Sequence, residues 1–447
     1  MNDRLRIIML SVMMAVCLGA SAFTVGQFSY EILSEEDRTV SITECSDDSA
    51  ELVLPGNVEY DGTQYTVTSI SKSFLTHNNY TAVKIFIPEN IISIGEENQS
   101  KFYYYKLQEI IVDENNPVYT SVDGVLYNKA VTELFCCPIL KDSVTLPSSL
   151  TIIKEGAFSG NKSISKICLP EGLRQIEDGA FKGCGSLSEI SFPSSLEMIG
   201  RTAFRGCAFK SIELNDGLKY IDQWAFWGCK NLERVRIPAS VELYLNPFIF
   251  CDSLTEFEVS PESELYSGEG PLLLSKDKSR LISYPSETES VTIPDDVSVI
   301  GKEAFYRNGL KTVVLPNSIT EIEERGFCES GSLESVYCYP STPPKLYSHS
   351  INDTAGNTPE HLLIYVPAQY YEAYRTGWSR TGYGSLIRAM VEDSGIDESV
   401  HADSAGSFIV YDLDGRLVMQ TSNRGDLSIL GGGIYIVNGK KTLIQNQ

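Results

Sequence analysis

The sequence contains only four histidines, and none of them forms a recognisable nucleophile–base or His-x-x-x-His motif. No Cys-x-x-Cys pair occurs, and no histidine accompanies the cysteines at metal-ligand spacing. The glycine-containing segments 156–163 and 433–442 lack the spacing of a phosphate-binding loop. These absences argue against an enzyme and predict neither a cofactor nor a metal site. We interpret the histidines as solvated loop residues: His77, His349, His361 and His401.

Positive charge is also scarce in this chain. Lysine and arginine together number 36 against 59 aspartates and glutamates, which gives a formal net charge of −23. Nucleic acids and anionic membranes are bound by neutralising their phosphates with lysine and arginine. The composition therefore predicts no nucleic-acid partner, and it favours solubility and neutral or cationic ligands.

Long apolar runs are missing except at the start of the chain. Residues 7–19 are apolar but for one serine, follow two arginines, and precede the small residues Ala20-Ser21-Ala22. This pattern is typical of a signal peptide and is too short for a membrane span with these flanks. Cys17 raises the alternative of a lipoprotein, which the large Val16 before it disfavours. We expect a signal peptide over residues 1–22, cleavage near Ala22, no transmembrane segment, and a secreted or outer-cell-surface location.

What the chain does contain is a repeat of 22 or 23 residues, centred in most copies on an Ala-Phe pair. The phenylalanines are separated by 23, 23, 22 and 22 residues from Phe158 to Phe248, and by 22 residues from Phe305 to Phe327. Such a period is typical of a solenoid, in which each unit buries its apolar face against its neighbours. The phenylalanines expected in one continuous core are Phe158, Phe181, Phe204, Phe226 and Phe305.

Each repeat unit carries two short apolar segments. The first alternates polar and apolar residues and ends at a Leu-Pro or Ile-Pro pair, as expected for a short strand that proline closes. The second is an apolar pair such as Leu173 and Ile176. We expect two short strands or turns per coil, with an apolar residue of each first strand buried and stacked in register. These residues are Ile167, Ile190, Ile212, Val235, Phe257, Val313 and Val336.

The same alignment predicts outward-facing neighbours. Glu213, Arg236 and Glu258 take equivalent positions in three consecutive coils, so Arg236 should lie between the two carboxylates on one face. Two residues earlier, Arg234 should meet Glu256.

Three positions after the repeat phenylalanine stands a cysteine or an asparagine, which we interpret as an inward side chain that satisfies loop backbone. Stacked cysteines would lie about 5 Å apart, within the Cα range of a disulfide. Side chains in a parallel in-register ladder point the same way, however, so we expect buried, reduced thiols. The residues at this position are Cys184, Cys207, Cys229, Cys251, Asn161 and Asn308.

Two longer units interrupt the repeat and match each other. Leu107 to Phe158 and Leu254 to Phe305 both span 51 residues, and their apolar positions align at an offset of 147. We expect a hairpin in each extended coil, formed by residues 125–127 with 134–136 and by residues 272–274 with 281–283.

The whole frame, Leu-x-x-Ile-x-Ile-Pro followed by Ile-Gly-x-x-Ala-Phe-x-x-Cys-x-x-Leu, closely resembles the BspA-like leucine-rich-repeat proteins. The resemblance covers roughly residues 28–390, and residues 339–344 and 364–378 are similar to the C-terminal coil of that family. The implied fold is a mainly β leucine-rich-repeat solenoid over residues 23–391, with N- and C-terminal capping coils. The implied role is non-catalytic and adhesin-like: a secreted or surface-attached protein that binds host or microbial macromolecules.

The end of the chain has a different composition. Residues 392–404 are polar, acidic and serine-rich, as in a linker. Residues 405–447 alternate around Asp-Gly and Asn-Gly turns, which predicts a small C-terminal β module of antiparallel hairpins. Its Val-Tyr-Asp-x-x-Gly-Arg start at Val410 and its Gly-x-Tyr-x-Val ending at Gly433 resemble the sorting domains of type IX secretion substrates. That resemblance implies the secretion machinery as a partner, and a β fragment that merely caps the solenoid is the alternative.

Large side chains at two repeat positions suggest a binding surface. The positions two residues before and one residue after the repeat phenylalanine mostly carry small or charged residues and should face water. Trp224, Trp227 and Ile249 break that pattern, and exposed aromatic residues often mark interaction sites. Packing under the unusual coil at residues 243–245 is an equal alternative. The run Tyr103-Tyr104-Tyr105, in a coil with three extra residues, is a second candidate unless it fills a widened turn.

The expected ligand of such a surface is a protein or glycan on a host or neighbouring microbial surface. Glycan capture by the aromatic residues is one alternative. A structural surface-layer component that recognises no specific ligand is an alternative from another class.

Overall fold

The structure is a computed structural model that divides into two compact units, Met1–Leu272 and Leu273–Gln447. The expected signal peptide up to Ser21, the linker and Tyr103-Tyr104-Tyr105 lie outside the residues that the structure describes. Those described residues are 22–76, 81–95, 106–285, 288–351, 357–390, 408–411, 417–421, 433–437 and 440–444.

The first unit begins with a six-stranded sheet in the order β1-β2-β3-β6-β5, with β8 beside β6. Its strands are β1 (Ala22–Val25), β2 (Phe28–Ser34), β3 (Thr39–Cys45), β5 (Asn57–Tyr60), β6 (Thr63–Ile70) and β8 (Ser93–Ile94), and a short helix α1 (Lys72–Thr76) follows β6. The ring of Phe23 on β1 stacks on Tyr60 of β5, with centroids 4.1 Å apart. The sheet therefore curls until its first and last strands meet, and it caps the core.

Stacked coils make up the rest of the first unit. A three-stranded parallel sheet has the order β4 (Glu51–Val53), β7 (Lys84–Ile87), β9 (Glu109–Val112). An eight-stranded sheet runs β10 (Tyr119–Val122), β11 (Val125–Asn128), β12 (Glu133–Cys136), β13 (Ile152–Ile153), β15 (Gln175–Ile176), β17 (Met198–Ile199), β19 (Tyr220–Ile221), β21 (Glu242–Leu243). Two further parallel sheets are β14 (Lys166–Cys168) with β16 (Glu189–Ser191), and β18 (Ser211–Glu213), β20 (Arg234–Ile237), β22 (Glu256–Val259), after which comes β23 (Tyr266–Glu269).

Each coil thus supplies one strand to each of two parallel sheets and closes with a turn at the repeat phenylalanine. In most coils proline stands directly after the first strand or within two residues of it, where it removes a ladder donor at no cost. The predicted leucine-rich-repeat solenoid is confirmed.

The repeat phenylalanines form a continuous stack through the core of the first unit. Their ring centroids are 4.7 Å apart from Phe158 to Phe181, 5.2 Å from Phe181 to Phe204, 5.4 Å from Phe204 to Phe226 and 5.6 Å from Phe226 to Phe248. Neighbouring planes deviate by 12° or less, and all five rings are buried. The stack arises because every coil places the same residue at the same height above the preceding one.

The residue three positions after each phenylalanine bonds to the coil before it. The thiols of Cys184, Cys207, Cys229 and Cys251 lie 3.1–3.4 Å from the carbonyl oxygens of Phe158, Phe181, Phe204 and Phe226. The amide of Asn161 donates to Pro138 O at 3.2 Å. The predicted role in satisfying loop backbone is confirmed, and these four cysteines carry reduced thiols rather than disulfides, as expected.

Most of the predicted strand residues are buried and in register, but Ile190 is only half-buried. It lies on β16, which pairs with β14 but not with β18, so the ladder is interrupted beside it. The next coil is one residue shorter, because Cys207-Ala208-Phe209 replaces the four-residue sequence Cys184 to Leu187. Phe209 fills the core there, with its ring 5.7 Å from that of Phe204.

The outward-facing charges follow the predicted register. Arg236 pairs in register with Glu213 on one side and Glu258 on the other, and all three side chains are exposed. Arg234 Nε lies 2.8 Å from Glu256 Oε2. The predicted register of these three coils is therefore confirmed.

The first extended coil contains the predicted hairpin, in which β11 pairs antiparallel with β12. A third strand, β10, pairs with β11 and was not predicted. Its sequence, Tyr119-Thr120-Ser121-Val122, has too few apolar residues to show a strand period.

The second unit continues the same coil architecture. One sheet, in which most neighbours are parallel, has the order β24 (Leu272–Ser275), β25 (Arg280–Ser283), β27 (Val299–Ile300), β29 (Glu321–Ile322), β31 (Lys345–Leu346). The other sheet has the order β26 (Ser290–Thr292), β28 (Thr312–Leu315), β30 (Ser335–Cys338), β32 (Leu363–Pro367), β33 (Ile387–Met390). The predicted second hairpin is confirmed, since β24 pairs antiparallel with β25.

The last coil of the second unit is closed by helix α2 (Tyr371–Gly377) and by short 3₁₀ helices at Ala368–Tyr370, Ser379–Thr381 and Tyr383–Leu386. The buried hydroxyl of Tyr374 donates to Pro340 O at 2.9 Å, and Trp378 Nε1 donates to Pro344 O at 2.9 Å. These bonds satisfy carbonyls of a proline-rich segment that has few amide partners of its own.

Near the C-terminus, four strands form an antiparallel sheet in the order β35 (Leu417–Thr421), β34 (Phe408–Tyr411), β36 (Gly433–Val437), β37 (Lys440–Ile444). Phe408, Val410 and Val437 form a separate small apolar cluster. The predicted small β module is therefore present.

Candidate ligand-binding surface

The candidate surface lies on the turns that surround the repeat phenylalanines of the first unit. We define its turn face as the five segments 156–162, 179–185, 202–208, 224–230 and 246–252. Backbone amides of Gly160, Gly183 and Gly206 donate to the carbonyls of Lys182, Arg205 and Trp227 in the next coil, at 2.6, 2.6 and 2.8 Å. These bonds align Lys182, Arg205 and Trp227 in one column, with neighbours about 4.8 Å apart.

Two predicted site residues, Trp224 and Trp227, come together on the turn face. Their rings are in T-shaped contact, with centroids 5.2 Å apart and planes at 90°. The ring of Trp227 also lies 5.6 Å from that of Phe250 in the next coil. Both indoles are half-buried. Each side chain therefore packs partly against its surroundings and still presents part of its ring to water.

The third predicted residue of this group, Ile249, does not belong to the surface. Its side chain is only 2% exposed. Gly228 N–H donates to Ile249 O at 2.8 Å, which places Ile249 beside Trp227 in the column. The burial of Ile249 departs from the exposed lysine and arginine that occupy this column in earlier coils.

The expectation that the position two residues before the phenylalanine faces water is wrong. Gly156, Gly179 and Glu303 are buried there, while Thr202 and Trp224 are half-buried. The reason is the backbone, because this residue adopts a positive φ and its N–H donates to a carbonyl of the next coil. The side chain at this position therefore starts close to the adjacent coil.

In four of the five turns, left-handed backbone recurs two residues before and two residues after the phenylalanine, and in the last turn Leu245 and Phe250 adopt it. Glycine adopts positive φ without a clash and fills the second position in four coils, from Gly160 to Gly228. Trp224 (φ 61°) and Phe250 (φ 58°) instead hold large side chains in this conformation. Left-handed backbone costs roughly 1–2 kcal/mol for a residue with a Cβ atom.

Two members of the surface were missed by sequence reasoning, Phe250 and Arg205. The Arg205 guanidinium carbon lies 4.9 Å from the centroid of the Trp227 ring, in cation–π geometry. Phe250 could have been found, because it occupies the column that is glycine in the four preceding coils. Arg205 gave no comparable signal, since lysine or arginine is ordinary at an exposed turn.

Two tyrosines, Tyr220 and Tyr244, stand before the last two turn segments in the sequence. Tyr244 is 50% exposed and its ring lies 6.4 Å from that of Tyr220. Burial raises the pKa of Tyr220, so its hydroxyl stays protonated at neutral pH and can donate a hydrogen bond.

The thiol column offers no reactive group to this surface. Burial raises the pKa of Cys229 to about 12 and that of Cys207 and Cys251 well above the usual value. The thiolate, which is the nucleophile and metal ligand, is thus disfavoured. Within the described residues, no group of three or more His, Cys, Asp or Glu side chains could hold a metal ion.

Comparison with known families identifies the repeats. Residues 174–268 and 281–352 match the BspA type leucine rich repeat region, in six copies. These segments resemble BspA-type leucine-rich repeats, and they include most of the turn face described above. No curated protein matches the chain.

Several solved structures are similar over most of the chain at low identity. A leucine rich cell surface protein from Faecalibacterium prausnitzii A2-165 is 20% identical, with 84% of this chain and 96% of that one covered and a TM-score of 0.41. A leucine-rich repeat protein from Bacteroides ovatus ATCC 8483 is 18% identical, with coverage of 82% and 99% and a TM-score of 0.34. The pneumococcal vaccine antigen PcpA is 15% identical, with coverage of 84% and 99% and a TM-score of 0.29.

Within the described part of the chain, no helix combines the length and apolar character needed to cross a membrane.

Proposed function

We propose that this protein is a secreted or surface-displayed, non-catalytic binding protein of adhesin-like character. Its ligand is a protein or glycan of a host or neighbouring microbial surface, and it contacts the turn face around Trp224 and Trp227. A BspA-type repeat region supports a binding role in general, because such scaffolds keep the fold constant while surface residues vary.

A single observation carries the proposal, which is the placement of Trp224 in left-handed backbone. The equivalent residues in the first two coils are Gly156 and Gly179, which adopt this conformation without strain. An indole at this position adds a backbone cost and leaves aromatic surface in water. Strained residues and exposed aromatics both concentrate at interaction sites.

The proposed surface can be tested with glycan and protein arrays probed with the full chain lacking its signal peptide. We expect a saturable ligand whose binding weakens at least about tenfold in Trp224→Gly, since aromatic anchors dominate interface energetics. Glycine matches the earlier coils, so this variant should fold at least as well as the parent.

Tyr347→Ala is the matched control, because it removes an exposed aromatic side chain from the second unit. Equal binding by the parent and Trp224→Gly would remove the turn face from the proposal. The absence of any saturable ligand would favour a structural surface-layer role.

We further propose that the C-terminal β module directs export through a type IX secretion system, after a signal peptide over residues 1–22 has guided passage across the inner membrane. The module has its own apolar cluster of Phe408, Val410 and Val437. Deletion of residues 408–447 should therefore leave a folded solenoid that stalls in the periplasm.

Surface labelling and periplasmic fractionation of the truncated protein measure this outcome. Normal surface display after truncation would contradict the sorting role. Loss of folding would instead support the alternative in which the module caps the solenoid.

A further inference from the structure

The turn face of the first unit has the opposite charge to the protein as a whole. Its five segments contain four cations and one carboxylate, in a chain with a net charge of −23. The carboxylate, Asp252, lies 3.2 Å from Lys230 and neutralises it. The three remaining cations are exposed: Lys162, Lys182 and Arg205.

Ion pairing in the surrounding coils makes these three residues unusual. Between residues 154 and 236 there are twelve lysines and arginines, and eight of them lie within 4.0 Å of a carboxylate: Lys154, Lys166, Arg174, Arg201, Lys210, Lys219, Lys230 and Arg234. Arg236 stands in register between two glutamates. Lys162, Lys182 and Arg205 have no carboxylate at that distance among the described residues.

Arg205 is also held in place for an incoming anion. Its guanidinium lies on the ring of Trp227, 4.9 Å from the centroid, while the side chain remains exposed. A guanidinium on an aromatic face keeps its N–H edge free for a carboxylate, and it loses little freedom on binding. Lys182 precedes Arg205 in the same column at the coil spacing of about 4.8 Å.

We propose that this turn face binds an acidic polysaccharide that carries carboxylates on its sugar rings. Lys182 and Arg205 pair with carboxylates of successive residues, since the coil spacing is comparable with the length of one sugar residue. Trp224 and Phe250 supply aromatic surface for the C–H faces of the rings. This inference rests on the proposed binding function and specifies the chemical class of its ligand. The local positive charge of the turn face outweighs the preference for neutral or cationic ligands that the composition of the whole chain predicts.

Charge and stacking together select this ligand over its competitors. An acidic polypeptide would satisfy the cations but not the indoles, and a neutral glycan would leave Lys182 and Arg205 unpaired. Single-stranded nucleic acid offers both charge and stacking surface, so it is the competitor that the test has to exclude by direct comparison.

The test measures binding of the full chain without its signal peptide to polygalacturonate by isothermal titration calorimetry at low salt. Fully methyl-esterified polygalacturonate has the same sugar without charge, and poly-L-glutamate has the charge without sugar. We expect both to bind roughly tenfold or more weakly than polygalacturonate, and we expect its affinity to fall as salt is raised. Comparable binding of poly-L-glutamate, of the methyl ester or of a (dT)20 oligonucleotide would overturn the assignment.

Variants locate the site. Lys182→Ala/Arg205→Ala should weaken polygalacturonate binding at least about tenfold, because two charge-assisted contacts are lost. Lys210→Ala/Lys219→Ala removes the same net charge from exposed, already paired positions outside the turn face and should change affinity less than about twofold. Equal losses in both variants would show a general charge effect and refute the site.

The outcome also separates this inference from the proposed function. One outcome is that an array ligand binds through Trp224 but polygalacturonate does not bind. That result would support the binding surface and reject the acidic polysaccharide as its ligand.

Discussion

Replacing Phe204 by alanine should lower the free energy of unfolding by about 3–5 kcal/mol, the usual range for truncating a buried phenylalanine. The ring is fully buried and stacks between Phe181 and Phe226, with centroids 5.2 and 5.4 Å away. Phe192 and Phe209 pack against it in T-shaped geometry, with ring centroids 5.6 and 5.7 Å from that of Phe204. No neighbour can close the cavity easily, because each of the stacked rings is fixed by its own coil.

Equilibrium urea denaturation, followed by tryptophan fluorescence, measures the effect. Tyr244→Ala is the matched control, since it removes an aromatic ring of similar size that is 50% exposed in a neighbouring coil. Its cost should stay near or below about 1 kcal/mol. Similar losses in the two variants would contradict a continuous phenylalanine stack as the main source of core stability.

The repeat register could be predicted from sequence because parallel stacking imposes the same demand at the same position in every coil. A column that must bury a ring shows phenylalanine from Phe158 to Phe248, and a column that must bond to a carbonyl shows Asn161 and then four cysteines. Each column repeats its signal several times, so a single exception does not hide it. The charged neighbours Glu213, Arg236 and Glu258 followed from this register alone.

The candidate surface was predicted only in part, because the sign of φ is invisible where glycine is replaced. Gly156 and Gly179 suggest a small solvated residue, although they mark left-handed backbone next to the adjacent coil. The sequence indicates Trp224 because a large side chain replaces the small residues at that repeat position. Phe250 was not predicted, although it stands two residues after Phe248, where the four preceding coils have glycine. The predicted exposure of Ile249 is wrong, since its side chain is only 2% exposed although Lys182 and Arg205 are exposed in the same column.

The pairing of Arg205 with Trp227 could not have been derived from the alignment. It depends on the rotamers of two long side chains in successive coils, and the column itself specifies neither. The same holds for the contrast between paired and unpaired cations, which requires the position of every neighbouring carboxylate.

The second unit places an ion pair with a buried carboxylate at the position where the first two turns of the turn face have Gly156 and Gly179. Glu303 (φ 59°) and Arg325 (φ 59°) occupy the left-handed position of successive coils, and Glu303 is 1% exposed. Arg325 Nη1 lies 3.3 Å from Glu303 Oε1. Removal of the arginine takes its positive charge away from a carboxylate that stays buried, and breaking such a pair costs more free energy than the pair contributes.

Arg325→Ala should therefore lower the free energy of unfolding by about 3 kcal/mol, at the lower end of the range for a broken buried pair because Arg325 is one-third exposed. Glu303→Gly/Arg325→Ala should recover most of that loss, since glycine removes both the buried carboxylate and the strain of positive φ, as at Gly156 and Gly179. Urea denaturation of the parent, the single and the double variant measures the difference. A double variant no more stable than Arg325→Ala would show that the lost packing of the arginine, rather than the loss of its charge beside the buried Glu303 carboxylate, accounts for the effect.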